Sequence, residues 1–417
     1  MKLNNRSIKN IIKKIVRKAG MAADDAAQNV ITGRLLRKQN LTKGNTARPV
    51  RVGFLVQMPE IWDKEEPVYR QMLSDQRFDV SLVVVPPFDR VRDKVGTTYE
   101  NNYFLKEYKE AITAYQGRGW IDLHDRFDYI FFQRPYDEYL PEELQSRNVV
   151  KYAKCCYIPY AFSGADVFNG GNTNKRFFRN FYFSFPESEY MTQLLKKEFS
   201  PNDRLHHFEY LGYPALAPYY DIGNSRQSRN ILWTPRWSYD PKIGGSTFLE
   251  NKDAILQIQE MYPGDRITFR PHPLMFGELE LKKRMTREEI ISFQQAIAAA
   301  GIIYDTGDPI VSAIRDADIL ITDYSSIIIQ YFITGKPVIY CEGGIKLNSV
   351  FEAMSEGFYI ARDKDDIIKY INMLKNGNDE LADKRKQIIA DHLEGHRTAA
   401  KKITERIYSD YTAEDVG

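Results

Sequence analysis

Residues Asp318–Cys341 read DILITDYSSIIIQYFITGKPVIYC. An apolar run of strand length stops at Asp323-Tyr324-Ser325-Ser326, resumes with the length of a short helix, ends at Gly335-Lys336-Pro337 and passes into a second apolar run. Short β-branched runs bounded by turn residues predict buried strands, and Gly followed by Pro predicts a helix end. The stretch therefore predicts strand, polar elbow, helix and strand, the repeating unit of a parallel α/β sheet. In such sheets ligands lie beyond the carboxyl ends of the strands, which is where this elbow falls.

Working outward, the same alternation recurs. VRVGFLVQMP (Val50–Pro59), FDVSLVVVPPF (Phe78–Phe88) and FDYIFFQRPYD (Phe127–Asp137) predict strands in a first half. ILWTPRW (Ile231–Trp237) and RITFRPHP (Arg266–Pro273) predict strands in a second half, ahead of the opening stretch. Between the halves, Ala217–Asn230 is polar and unpatterned, as a linker would be. The expected fold class is α/β: two Rossmann-like domains, with parallel sheets facing a central cleft. The expected division is a basic arm over residues 1–48, a first Rossmann-like domain over 49–220 and a second over 228–417.

Composition narrows the partners. Of 417 residues, 43% are hydrophobic and 27% charged, with 27 Tyr, 23 Phe and three Cys. So few cysteines, without metal spacing, predict neither a disulfide framework nor a metal centre. Neither a G-x-G-x-x-G turn nor a P-loop appears in the expected places, which weighs against dinucleotide and P-loop chemistry. The net charge of +2 hides an asymmetry: residues 1–51 carry 13 Lys and Arg against Asp24 and Asp25, so the remainder is acidic. Ile8, Ile11, Ile12, Ile15 and Val16 recur at helical spacing among those basic residues. Such a helix suits an anionic membrane surface, reached through residues 1–20; a solvated or docked arm has the same pattern. No recognition module supports a nucleic-acid partner. The expected location is cytoplasmic, peripheral at the inner face of the plasma membrane.

Four strand-end loops of the second half converge on one edge, and three of them carry anion-binding chemistry. Ser325 and Ser326 fall at the start of the predicted helix, where free N–H groups and a positive helix end favour phosphate, and Asp323 stands beside them. Capping alone would also use Asp323 and Ser325. Arg270 and His272 lie in a turn stiffened by Pro271 and Pro273. A guanidinium fork suits phosphate oxygens, and an imidazole titrating near neutrality can donate to a leaving phosphate. Thr234 and Arg236 stand at a third strand end. The remaining histidines, His124, His206, His207, His392 and His396, fall in charged contexts that predict a surface position.

Together, ILITDYSSIIIQYFITGKPVIYC, FRPHP, ILWTPRW and LGYP (Leu211–Pro214) resemble the CDP-glycerol glycerophosphotransferase family of teichoic-acid and capsule polymerases. The resemblance implies a GT-B fold, with the acceptor held by the domain over 49–220 and the nucleotide donor by the domain over 228–417, in a membrane-associated enzyme that needs no metal or cofactor. It would move glycerol phosphate or ribitol phosphate from CDP-glycerol or CDP-ribitol to a lipid-linked glycan acceptor, releasing CMP. It also implies that His272 contacts the pyrophosphate with Arg270 beside it, and that Ser325 and Ser326 bind phosphate. One departure stands out: the family's His-Gly-Thr-Pro stretch, whose histidine is the proposed base, corresponds here to CCYIPYAFSGAD (Cys155–Asp166), which has no histidine. Glu60, just beyond the first strand, is the expected replacement; Asp63, Glu65, Glu66, Tyr160 and Asp166 are further candidates. A GT-B glycosyltransferase using a nucleotide sugar, an epimerase on the same fold, and a non-catalytic glycan-binding scaffold are the alternative readings.

Overall fold

A computed structural model describes residues 5–89, 94–96, 103–200, 202–223, 229–240, 242–243, 245–307 and 310–412, with side chains from residue 22 onward apart from Asp89 and Lys94. The first half forms strands β1 (Val50–Val56) and β2 (Phe78–Val84), a two-stranded ribbon of β3 (Phe88–Asp89) and β4 (Lys94–Val95), then β5 (Ile112–Thr113), β6 (Tyr129–Phe132), β7 (Lys154–Tyr157), β8 (Phe183–Ser184) and β9 (His207–Phe208). All except the ribbon join one parallel sheet in the order β5-β2-β1-β6-β7-β8-β9. The second half forms β10 (Asn230–Thr234), β11 (Arg266–Phe269), β12 (Ile303–Tyr304), β13 (Ile319–Thr322), β14 (Val338–Cys341) and β15 (Tyr359–Ala361). These make a second parallel sheet in the order β12-β11-β10-β13-β14-β15. In each sheet the first strand sits inside, with later strands added on both sides, as in doubly wound nucleotide-binding folds.

The strands form where the sequence is apolar on both faces. In β1 every residue but Arg51 is buried, and Phe54 stacks on Phe131 of β6 with ring centroids 4.7 Å apart. In β13 all four residues are buried. Covering helices on both faces make such continuous apolar runs possible. The helix after the elbow is shorter than its apolar run. It spans Ile327–Phe332, because Thr334 turns its hydroxyl back to the Tyr331 carbonyl at 2.7 Å and Gly335 takes a φ of +76°. A left-handed glycine ends helices in this way. Lys336, 1% exposed, then donates to the carbonyls of Ile314, Arg315 and Ala317 at 2.7–3.1 Å, closing the end of the neighbouring helix.

The chain ends where the first half began. Helix Ala399–Thr412, expected with the second half, packs on the first sheet's unit. Its Asp410 accepts from Tyr129 at 2.6 Å and Tyr182 at 2.8 Å and pairs with Lys154. Arg406 forks onto Glu209 at 2.8 and 2.9 Å. The amino-terminal helix, Asn5–Leu41, is likewise more than an arm. Leu36 is fully buried, Thr32 donates to Asn180 at 3.1 Å, and Gln39 donates to the Val150 and Ala153 carbonyls at 2.9 and 3.0 Å. The membrane contact expected of residues 1–20 lies outside the described side chains. His396 corrects the surface expectation: it is 1% exposed, its Nδ1 accepts the Tyr213 N–H at 2.7 Å, and burial drives its pKa down to about 4. Cys155, Cys156 and Cys341 are buried free thiols. Among the described residues no helix is long and apolar enough to cross a membrane.

Candidate active site

A cavity of about 300 Å³ opens between the two sheets at their carboxyl edges. The second sheet contributes Arg236, Trp237, His272, Tyr324 and Ser326, and the first contributes Tyr157, Tyr160, Phe162, Ser163, Phe178 and Glu187 among others. The two units are latched beside it. The Gly164 N–H donates to Tyr324 Oη at 3.0 Å, the Asn348 side chain donates to the Ser163 carbonyl at 2.9 Å, and the Asn348 N–H donates to the Gly164 carbonyl at 2.9 Å. Gly164 is required at this contact, because a Cβ there would lie 2.6 Å from the Phe351 ring.

His272 is held by its turn. Its backbone N–H donates to the Pro235 carbonyl at 3.2 Å, and its Nδ1 accepts the Leu274 N–H at 3.2 Å. Burial, then the positive charge of Arg236, lowers its pKa to about 4. The imidazole is therefore neutral at physiological pH, and with Nδ1 accepting, its proton sits on Nε2. That differs from the near-neutral titration expected of the bare sequence, because the turn removes the ring from water and sets it beside a cation.

Arg236 is the cation of the cavity. Its guanidinium donates to the Ile243 carbonyl at 2.8 Å and the Tyr324 carbonyl at 3.3 Å, and lies over the Phe168 and Tyr324 rings at 5.5 and 5.1 Å. Asp323 stands behind it, 1% exposed. Its carboxylate accepts the Arg236 N–H at 2.9 Å, the Thr247 N–H at 3.3 Å and the Thr247 hydroxyl. Burial nonetheless raises its pKa to about 6. Asp323 thus ties the loop after β10 to the end of β13 and positions Arg236. Thr234 is buried too, donating to Thr322 Oγ1 at 2.8 Å inside the sheet.

Ser325 and Ser326 divide the elbow's work. Ser325 Oγ accepts the Ile327 N–H at 3.3 Å and so serves the helix start, whereas Ser326 is exposed and lines the cavity. Arg270 does not line it. Its guanidinium pairs with Asp305 at 2.9 Å, and it borders a second hollow between β11, β12 and helix Ile310–Asp316. Glu60 is exposed on the 3₁₀ turn Pro59–Lys64 and is not among the residues lining the cavity. The geometry brings together His272, Arg236 and Ser326, and sets Thr234, Asp323, Arg270 and Glu60 apart from the cavity wall.

Glu187 is the residue the sequence did not single out. It lines the cavity at 1% exposure, and burial raises its pKa to about 7. Its only signal was an acid directly after Phe185-Pro186 at a strand end, a place where a solvated acid is commonplace. Among the described residues, no group of three His, Cys, Asp or Glu is placed to hold a metal.

Comparison with known proteins follows the same lines. The model of a family described as CDP-glycerol:poly(glycerophosphate) glycerophosphotransferase matches residues 170–409. No curated protein sequence matches the chain. Among solved structures, the wall teichoic acid polymerase TagF, in a variant soaked with CDPG, has a TM-score of 0.53 at 14% identity over 96% of this chain and 98% of that one. UDP-GlcNAc 2-epimerase from Neisseria meningitidis bound to UDP-GlcNAc has a TM-score of 0.56 at 12% identity over 86% of this chain and 100% of that one. At these identities the likeness establishes the GT-B-type fold.

Proposed function

The chain belongs to the CDP-glycerol:poly(glycerophosphate) glycerophosphotransferase family, and from that premise we propose that the cavity between its sheets moves glycerol phosphate, or ribitol phosphate, from a CDP-activated donor to an acceptor hydroxyl with release of CMP. The second-sheet wall takes the donor and the first-sheet wall takes the acceptor, the terminal hydroxyl of a lipid-linked chain in teichoic-acid or capsule synthesis. The observation that carries this reading is the pairing of a neutral, Nε2-protonated His272 with Arg236 on one wall.

The chemistry follows from charge. In phosphoryl transfer, negative charge gathers on the non-bridging oxygens and on the departing CMP. A fixed N–H from His272 and the Arg236 guanidinium face that charge in a half-enclosed site, where preorganised donors act most strongly. Ser326 adds a hydroxyl from the elbow. The buried Asp323 keeps Arg236 in place, and Arg270, paired with Asp305, steadies the strand end that carries His272.

A peripheral membrane position is part of the same reading. On helix Asn5–Leu41, Thr32, Leu36, Gln39 and Asn40 face the body, while Val30, Arg34, Arg37, Lys38 and Leu41 share the opposite face. Val30 is 55% and Leu41 81% exposed, each with basic neighbours on that face. Apolar and basic groups on one helix face suit an anionic lipid surface.

The test is product formation. Purified protein, CDP-glycerol and short poly(glycerophosphate) oligomers are expected to yield CMP and oligomers lengthened by glycerol phosphate. CMP-free mixtures, with oligomers lengthened only when a nucleotide sugar is supplied, would replace this reading with glycosyl transfer.

A further inference from the structure

The first-sheet wall of the cavity must remove a proton from the acceptor, and the loop Cys155–Asp166 offers no histidine for it. After β8 the chain turns through Phe185-Pro186-Glu187-Ser188 before helix Glu189–Phe199 begins, so Glu187 stands at the carboxyl edge of the first sheet. Its Oε1 accepts the Ser163 N–H at 3.1 Å, which fixes the carboxylate against that same histidine-free loop. Tyr157 and Tyr324 line the cavity with it, and burial first, with the charge of Glu187 among the further causes, holds their hydroxyls above the ordinary tyrosine range. Across the cavity stand Arg236 and His272, and no Lys or Arg of the first-sheet unit is among the lining residues. The other acids of the region are engaged or turned away. Asp166 accepts from Tyr190 at 2.6 Å and pairs with Lys346 at 3.2 Å, Asp63 pairs with Lys64, and Glu60 lies outside the cavity.

We propose that Glu187 is the general base that takes the proton from the acceptor hydroxyl, an inference that rests on the phosphotransfer reading above. As the acceptor oxygen forms its bond to the phosphorus bearing the polyol, its proton passes to the Glu187 carboxylate. The bond from that phosphorus to the bridging pyrophosphate oxygen breaks, and CMP departs with the electron pair. Glu187 then returns the proton to solvent. A general base is most effective when its pKa lies near the working pH, and burial places this one at about 7.

The experiment uses the full chain with CDP-glycerol and poly(glycerophosphate) oligomers. Glu187→Gln is expected to lower kcat by about 10²–10⁴-fold, the usual contribution of general base catalysis, while the thermal shift given by CDP-glycerol is unchanged. For the unaltered protein, the rate is expected to fall about tenfold per pH unit below about pH 7, as a single essential carboxylate requires. The Glu187→Gln protein should lack that limb. The pH profile needs no variant, so it tests the inference even if Glu187→Gln does not fold. A rate flat from pH 8 to 5.5, or a folded Glu187→Gln protein with near-normal kcat, overturns the assignment. Loss of activity in Glu60→Gln with Glu187→Gln active would move the role to Glu60. Absence of any turnover by the unaltered protein removes the phosphotransfer reading, and this inference with it.

Discussion

The two walls of the cavity are built on the same sheet topology and do opposite electrostatic work. The second-sheet wall presents Arg236 and the N–H of a neutral imidazole, held by turns in which proline alternates with the functional residue. The first-sheet wall presents aromatic rings and one carboxylate. Their buried acids differ in the same way. Asp323, on the second-sheet side, accepts three hydrogen bonds. Glu187 accepts one from the Ser163 backbone, and Glu65, elsewhere in the first unit, has no hydrogen-bond partner for either oxygen among the described residues. A doubly wound sheet fixes where a ligand goes, and the loops at its strand ends fix which charge meets it.

The largest effect is expected at His272. His272→Ala is expected to lower turnover by about 10²–10³-fold, the usual cost of one oriented donor, with melting temperature retained. A folded variant with near-normal CMP release would mean that the donor wall lies elsewhere. His272, with a pKa of about 4, stays neutral between pH 8 and 5.5, whereas Asp323 behind Arg236, raised to about 6 by burial, titrates within that range. An acid limb there belongs to Glu187 if Glu187→Gln abolishes it, and to Asp323 if it survives that substitution.

Glu65 tests the first unit's burial of charge. Burial raises its folded pKa to about 8 from an ordinary 4.5, so the folded protein holds a proton that the unfolded chain releases. Stability linked to this group is complete below pH 4.5 and is lost as pH rises toward 8. Glu65→Gln should therefore unfold at higher temperature than the unaltered protein at pH 8, with a difference on the order of a few kcal/mol from the shift in pKa. Equal melting curves at pH 8 would show that the carboxylate finds a partner in solution. Arg236→Lys keeps the charge and loses the planar fork. A KM for CDP-glycerol raised about tenfold, with kcat less affected, is the expected outcome of losing one charge-assisted hydrogen bond. An unchanged KM would leave Arg236 as a purely structural stack on Phe168 and Tyr324. The smallest effect is expected at the latch. Tyr324→Phe strips the Gly164 N–H of its acceptor and should lower stability by about 1 kcal/mol, read as a shifted denaturant midpoint.

The two walls were also unequally legible in the sequence. The groups proposed to hold the donor sit in short contiguous motifs, FRPHP, ITDYSS and TPRW, each at the end of one strand. Their strands and the doubly wound halves followed from the same apolar runs. What pattern could not show was which way a side chain turns at a strand end. Arg270 and His272 stand two residues apart, yet one pairs with Asp305 while the other lines the cavity. The first-sheet wall is assembled from three separate strand ends, after β6, β7 and β8, so no single stretch announces it. Glu187 became visible only when folding buried it against Ser163. The return of helix Ala399–Thr412 to the first unit was equally hidden, since its partners Tyr129, Lys154 and Glu209 are distant in sequence.

Whether the second-sheet wall holds a CDP-alcohol is read from thermal shift. A ligand that binds only the folded state raises the melting temperature by mass action. Titration without acceptor is expected to raise it with CDP-glycerol or CDP-ribitol, with the effect much reduced in Arg236→Ala. A shift confined to UDP-sugars or CMP-sugars, or an equal CDP-glycerol shift in Arg236→Ala, would contradict the account.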